Sequence, residues 1–190
     1  MEERIENLVR NWQKRNISGL YCNNKEEAVK KILEVIPQTA TVGISGSVTL
    51  DQLEIVKRLE SRGNKVFNQY KTAEKQESLE IRRQGTQADF YLASANAVSQ
   101  NGELVFLSAF GNRTSGISNA RNVIIVCGLN KLTPNLAEAL KRAKEYATPL
   151  NYKRLDWDES RPMCCQVLVI EAEVTPDRLK VILVGENLGF

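Results

Sequence analysis

Between Gly43 and Leu50 the chain reads Gly-Ile-Ser-Gly-Ser-Val-Thr-Leu, a run of small and hydroxyl-bearing residues between a β-rich segment and a helix. A turn of this kind lets a ligand approach the main chain closely. The helix start adds unpaired N–H groups and the positive end of a dipole. Ser47 and Thr49 contribute hydroxyl donors beside Gly46, so the loop suits a phosphate or a carboxylate. The same residues also make an ordinary cap, and the loop alone does not choose between the two. Gly111-Asn112-Arg113 lies downstream. Arg113 can grip an anion through two parallel hydrogen bonds, or it can pin the hairpin that precedes it. Asn96, Asn112 and Asn130 are turn formers that can also orient a ligand. Lys131 is a further cation that either faces the ligand or shields a loop end.

Composition narrows the chemistry. With no histidine among 190 residues, the Ser–His–acid triad, the Cys–His dyad and every histidine-ligated metal centre are excluded. Acid–base work would fall to Asp, Glu, Lys, Cys, Tyr or the substrate itself. Of the four cysteines, Cys22 and Cys127 sit on apolar strands and read as core. Cys164 and Cys165 are adjacent, so their side chains diverge if the backbone is extended. Two neighbouring thiols make neither a metal knuckle nor a four-thiolate cluster site. No metal and no cofactor is expected. The net charge of +3, with basic and acidic residues interspersed, is no footprint for nucleic acid. Lys141, Arg142 and Lys144 read as the solvated face of an amphipathic helix. No apolar run approaches the ~20 residues of a membrane span, and the amino-terminal MEERIENLVR has no signal core. A cytoplasmic protein with free thiols and no membrane partner is expected.

The positioning elements follow from periodicity. Ile5, Leu8, Val9 and Trp12 mark a docking helix over residues 1–16, and Asn24 with Glu27 marks a capping box for a second helix. Short strands are predicted at 19–22, 41–44, 65–68, 88–93, 122–127, 166–172 and 179–184, with helices between most of them. A helix from about Leu50 to Gly63 and a weakly apolar one over 74–84 belong to this series. Asn101-Gly102 predicts a two-residue type I′ hairpin, which would place Asn96 opposite Leu107 and Gly111 beside Leu92. Alternating strand and helix predict a three-layer αβα domain spanning residues 1–190, with a mixed, mostly parallel sheet and a protruding hairpin. Ligands of such sheets bind beyond the carboxyl ends of the strands. Residues 45–49, 94–96 and 128–131 all leave from that edge.

Several motifs in order give the chain a family resemblance. They are Val42 to Leu50, Ala88-Asp89, Ala95 to Val98, Asn101 to Leu104, Gly111 to Arg113, Val126 to Lys131 and Val184 to Phe190. The sequence resembles the LUD-domain family of bacterial lactate-utilisation operons from about residue 20 onward. The resemblance implies a fold like that of the ribose-phosphate isomerase, CoA-transferase and formyltetrahydrofolate cyclo-ligase superfamily. It also implies an anion on the glycine-rich loop, and iron–sulfur proteins of L-lactate oxidation as partners. Many relatives carry several spaced cysteines before the closing strands. Here residues 152–166 offer only Cys164 and Cys165, which argues against a cluster in this chain.

Three functions are compatible with these residues. The first is recognition of a small carboxylate or phosphate ligand by Gly46, Ser47, Thr49, Asn96, Asn112, Arg113 and Lys131. The second is catalysis by an isomerase or an acyl- or CoA-transferring enzyme, which needs a carboxylate; Glu103 and Asp51 are the candidates. The third is a non-catalytic subunit that docks on redox partners through the helix at 74–84 and the hairpin.

Overall fold

Alternate residues of the buried strands serve two different cores, and this alternation organises the molecule. The computed structural model describes residues 2–190. Strands β1 (Ser18–Cys22), β2 (Val42–Ile44), β3 (Val66–Phe67), β4 (Phe90–Ala93), β7 (Asn122–Gly128) and β10 (Leu179–Val184) form one sheet in the order β1-β10-β7-β4-β2-β3. Every pairing in it is parallel. Along β7, Val123, Ile125 and Cys127 face one core while Ile124 and Val126 face the other. Such continuously apolar strands are what two covered faces require.

Helices α2 (Lys25–Val35), α3 (Val48–Gln52) and α4 (Ile55–Ser61) cover the Ile124 face through Val29, Ile32, Leu50, Ile55 and Leu59. The single helix expected over 50–63 is broken in two, with Glu54 at φ 48° between the pieces. Asn24 caps α2 as expected and accepts from the Glu27 amide at 2.9 Å. The Glu27 carboxylate returns to the Asn23 amide at 2.8 Å. The opposite face is covered by α1 (Glu2–Lys14), α6 (Asn112–Asn119) and a second sheet. Three layers result. Helix α6 was not foreseen, because Asn-Arg-Thr-Ser-Gly-Ile-Ser-Asn has little helical periodicity; Ile117 alone anchors it in the core.

The second sheet contains β5 (Ala97–Ser99), β6 (Leu104–Ser108), β8 (Leu132–Thr133) and β9 (Gln166–Ile170), in the order β8-β5-β6-β9. Antiparallel pairing is confined to it. The hairpin leaves the parallel sheet and is flanked on both sides rather than standing free. Leu104 and Phe106 enter the main core, while Val105 and Leu107 face α7 (Leu136–Arg142). A π-helical turn over Ala143–Ala147 joins α7 to α8 (Thr148–Arg154).

The hairpin register differs from expectation by one residue: Ala97 pairs with Val105 and Val98 with Leu104. Gly102 donates to the Ser99 carbonyl at 2.9 Å and is the only turn residue with positive φ, at 107°. The turn is therefore a three-residue loop closed by a glycine bulge rather than type I′. Trp12 stabilises this choice by donating to the Gly102 carbonyl at 3.1 Å from a fully buried ring. Because β6 pairs with β9 and not with β4, Gly111 does not return beside Leu92. It precedes α6, whose first turn, with the remaining α5 (Lys75–Gly85), borders the site.

Candidate functional site

Strands β2, β4 and β7 are neighbours in the parallel sheet, so the segments leaving their carboxyl ends meet without any local sequence signal. Lys131, on a short 3-10 turn after β7, reaches back under the sheet edge. Its Nζ donates to Thr49 Oγ1 at 2.9 Å and to Ser94 Oγ at 2.7 Å. Ser94 Oγ in turn lies 3.1 Å from Thr49 Oγ1. The lysine is only 3 % exposed. Burial depresses its pKa to about 8, against some help from Cys127 and with added repulsion from Arg113 and Arg142.

Arg113 comes from the first turn of α6. It donates to Gly46 O at 2.5 Å, to Leu107 O at 2.9 Å and to Asn96 Oδ1 at 3.1 Å. The guanidinium thereby clamps the Gly46 loop to the open end of the hairpin, where Asn96 precedes β5 and Leu107 nears the end of β6. Asn96 Oδ1 also accepts from the Leu107 amide at 2.9 Å, which keeps Asn96 near Leu107 although the strand register is shifted. Burial lowers the Arg113 pKa, yet no deprotonation follows for a guanidinium. Among the described residues neither Arg113 nor Lys131 meets a carboxylate. A buried cation such as Lys131 without a counter-ion is costly, and an anionic ligand would relieve that cost.

All seven residues proposed from sequence, Gly46, Ser47, Thr49, Asn96, Asn112, Arg113 and Lys131, line one cavity of about 440 Å³. Their side-chain roles differ. Ser47 caps α3 by accepting from the Leu50 amide at 3.4 Å. The carbonyl of Asn112 accepts from the Tyr91 hydroxyl at 2.8 Å. Asn130 does not line the cavity; its amide holds the closing segment through Leu188 N and Gly189 O, both at 3.0 Å.

The walls add groups that the sequence did not single out. Lys75, Arg82 and Arg154 join Arg113 and Lys131, giving five cationic side chains and no Asp or Glu in the lining. In a chain of net charge +3, positive charge is thus concentrated here. Ser78 and Arg82 share one face of α5 at helical spacing, and Arg82 Nη1 donates to Ser78 Oγ at 2.6 Å; the weakly apolar helix predicted over 74–84 is a wall of the cavity. Ser45 Oγ and Gln69 Oε1 are buried against the cavity without a partner. Arg142 is not part of a solvated face as expected. Its Nη1 donates to Asn96 O at 2.5 Å and its Nε to Asn130 O at 3.2 Å, tying two of the site loops together.

The carboxylates considered for catalysis lie elsewhere. Glu103 pairs with Arg15 at 2.7 Å beside the hairpin turn. Asp51, whose pKa is raised by burial, points outside the lining. The cavity can therefore hold and polarise an anion, but it brings no carboxylate to serve as a base or acyl carrier. Cys164 lines the cavity and Cys165 is exposed; both are free thiols. Among the described residues no helix is long and apolar enough to cross a membrane.

A family model described as the LUD domain matches residues 5–184. The crystal structure of a DUF162 family protein from Deinococcus radiodurans superposes with a TM-score of 0.57 at 14 % identity, covering 97 % of this chain and 98 % of that one. That likeness concerns the fold. Ribose 5-phosphate isomerase A from Methanocaldococcus jannaschii gives a TM-score of 0.40 at 16 % identity, over 70 % of this chain and 65 % of that one. No curated protein sequence matches the chain.

Proposed function

Because the chain belongs to the LUD-domain family, we propose that it recognises the carboxylate or phosphate of a small organic ligand in the cytoplasm, as a component of lactate or related organic-acid utilisation. One observation carries this reading: two cations, the half-buried Arg113 and the buried Lys131, share a cavity whose lining contains no acidic side chain. The unpartnered Ser45 hydroxyl adds a donor at the same place. The anion would accept from Arg113, Lys131 and the start of α3, and the excluded water would strengthen each bond. Iron–sulfur proteins of lactate oxidation are the partners that the family context supplies, and co-purification from lactate-grown cells tests that part.

The direct test is calorimetric titration with L-lactate, pyruvate, ribose 5-phosphate and sulfate, repeated on Arg113→Ala. A charge-assisted hydrogen bond contributes about 1.5–3 kcal/mol, so the variant should bind its best anion roughly 10-fold to 100-fold more weakly. Failure of every anion to bind the wild-type protein would remove the proposal.

A further inference from the structure

The cavity is larger than the anion its floor would hold. Its volume of about 440 Å³ falls within the range of complete small-molecule sites, about 300–1,000 Å³. A three-carbon acid or a free phosphate would fill a minor part of it. Besides the half-buried Arg113 and the buried Lys131 the lining carries aromatic rings. Tyr70 and Phe110 both line the cavity while remaining 55 % and 52 % exposed, as large rings at a mouth would be. Phe110 is held in place: the Arg82 guanidinium lies over its ring at 4.9 Å, and Trp157 meets it edge-on at 6.3 Å and 75°. Tyr70 is seated as well, since its hydroxyl rests where a side chain at Gly46 would have to go.

Beside Tyr70, Gln69 is 2 % exposed and its Oε1 has no partner. An anion cannot satisfy a carboxamide oxygen; an N–H or O–H donor can. The site thus asks for three things in one ligand: negative charge at the floor, a planar ring at the mouth and a hydrogen-bond donor on or near that ring. Nucleobases present such donors along their edges and stack on aromatic side chains.

We propose that the ligand is a nucleoside phosphate, with its phosphate on Arg113 and Lys131 and its base stacked on Tyr70 and Phe110 beside Gln69. This rests on the anion reading above and narrows the ligand class.

Calorimetry with AMP, ribose 5-phosphate and inorganic phosphate separates the two readings. L-Phenyllactate against L-lactate serves as the carboxylate arm. AMP should bind at least about 10-fold more tightly than ribose 5-phosphate, the range expected of base stacking. Tyr70→Ala and Phe110→Ala should each lower AMP affinity by a larger factor than they lower ribose 5-phosphate affinity, so that the advantage of AMP shrinks. Both rings are half-exposed, so an unchanged melting temperature will show that the variants fold. If AMP and ribose 5-phosphate bind equally, the nucleoside assignment is overturned while anion recognition stands. The same holds if the two variants keep the full AMP advantage. If phenyllactate gains over lactate but AMP gains nothing over ribose 5-phosphate, an aromatic acid replaces the nucleoside. If no anion binds, both readings fall together.

Discussion

Titrating the protein with sulfate should draw a proton from solution, and Lys131 should be where it goes. Its pKa falls from 10.5 to about 8 in the free protein, chiefly through burial, which disfavours the ammonium by roughly 3 kcal/mol. An anion about 4 Å away at an effective dielectric near 20 returns about 4 kcal/mol, enough to restore an ordinary lysine pKa. Sulfate keeps a constant charge across the relevant range, so any proton taken up belongs to the protein. At pH 7 the lysine is already charged and uptake should be small. At pH 8 about half a proton should be absorbed per sulfate, and at pH 9 nearly one. The affinity should accordingly drop about 10-fold between pH 7 and pH 9. Calorimetry in two buffers of different ionisation enthalpy measures the proton count directly. Lys131→Met should abolish both the uptake and the slope, whereas Cys164→Ser, which removes the thiol in the lining, should keep them. Wild-type binding with no proton uptake at pH 8 and pH 9 would refute the placement of Lys131 at the anion. In the free protein the same group affects stability. Between about 8 and 10.5 the unfolded chain holds a proton that the folded protein has released, so this contribution makes stability rise with pH across that window.

Two further substitutions separate the site from its surroundings. Gly189 has φ 60°, and a Cβ there would lie 2.5 Å from Thr49 Oγ1. Gly189→Ala should therefore cost about 1–2 kcal/mol, seen as a melting temperature lower by roughly 2–8 °C, and should weaken sulfate binding by displacing the Thr49–Lys131 pair. Unaltered stability and binding would show that the closing segment does not support the site. Glu103→Gln should lower the melting temperature by loosening the Arg15 pair while leaving sulfate affinity unchanged; a loss of affinity would return Glu103 to the cavity.

Local sequence was sufficient for what depends on local physics. The Asn24 cap, the buried stripe of α2 and the apolar run of β7 each follow from neighbouring residues, and Asn101-Gly102 marked the place of the hairpin turn though not its type or register. Because parallel strands send their loops to one edge, residues 45–49, 94–96 and 128–131 could also be assigned to one rim before any contact was known. The motifs then sufficed for the family.

Tertiary structure decided the rest, because it turns on which groups are left without partners. No local pattern says that Lys131 will be buried on two hydroxyls, that Arg113 will open a helix and clamp Gly46, or that Arg142 will face inward on loop carbonyls. The hairpin turn is held from 90 residues away, by the Trp12 indole on Gly102. Glu103 stands beside the hairpin turn, paired with Arg15 and away from the cavity. Residue types and the succession of strands and helices along the chain are legible from the chain alone. Desolvation and the cancellation of charge depend on what surrounds each group, and only the folded molecule brings five cationic side chains together with no Asp or Glu among them.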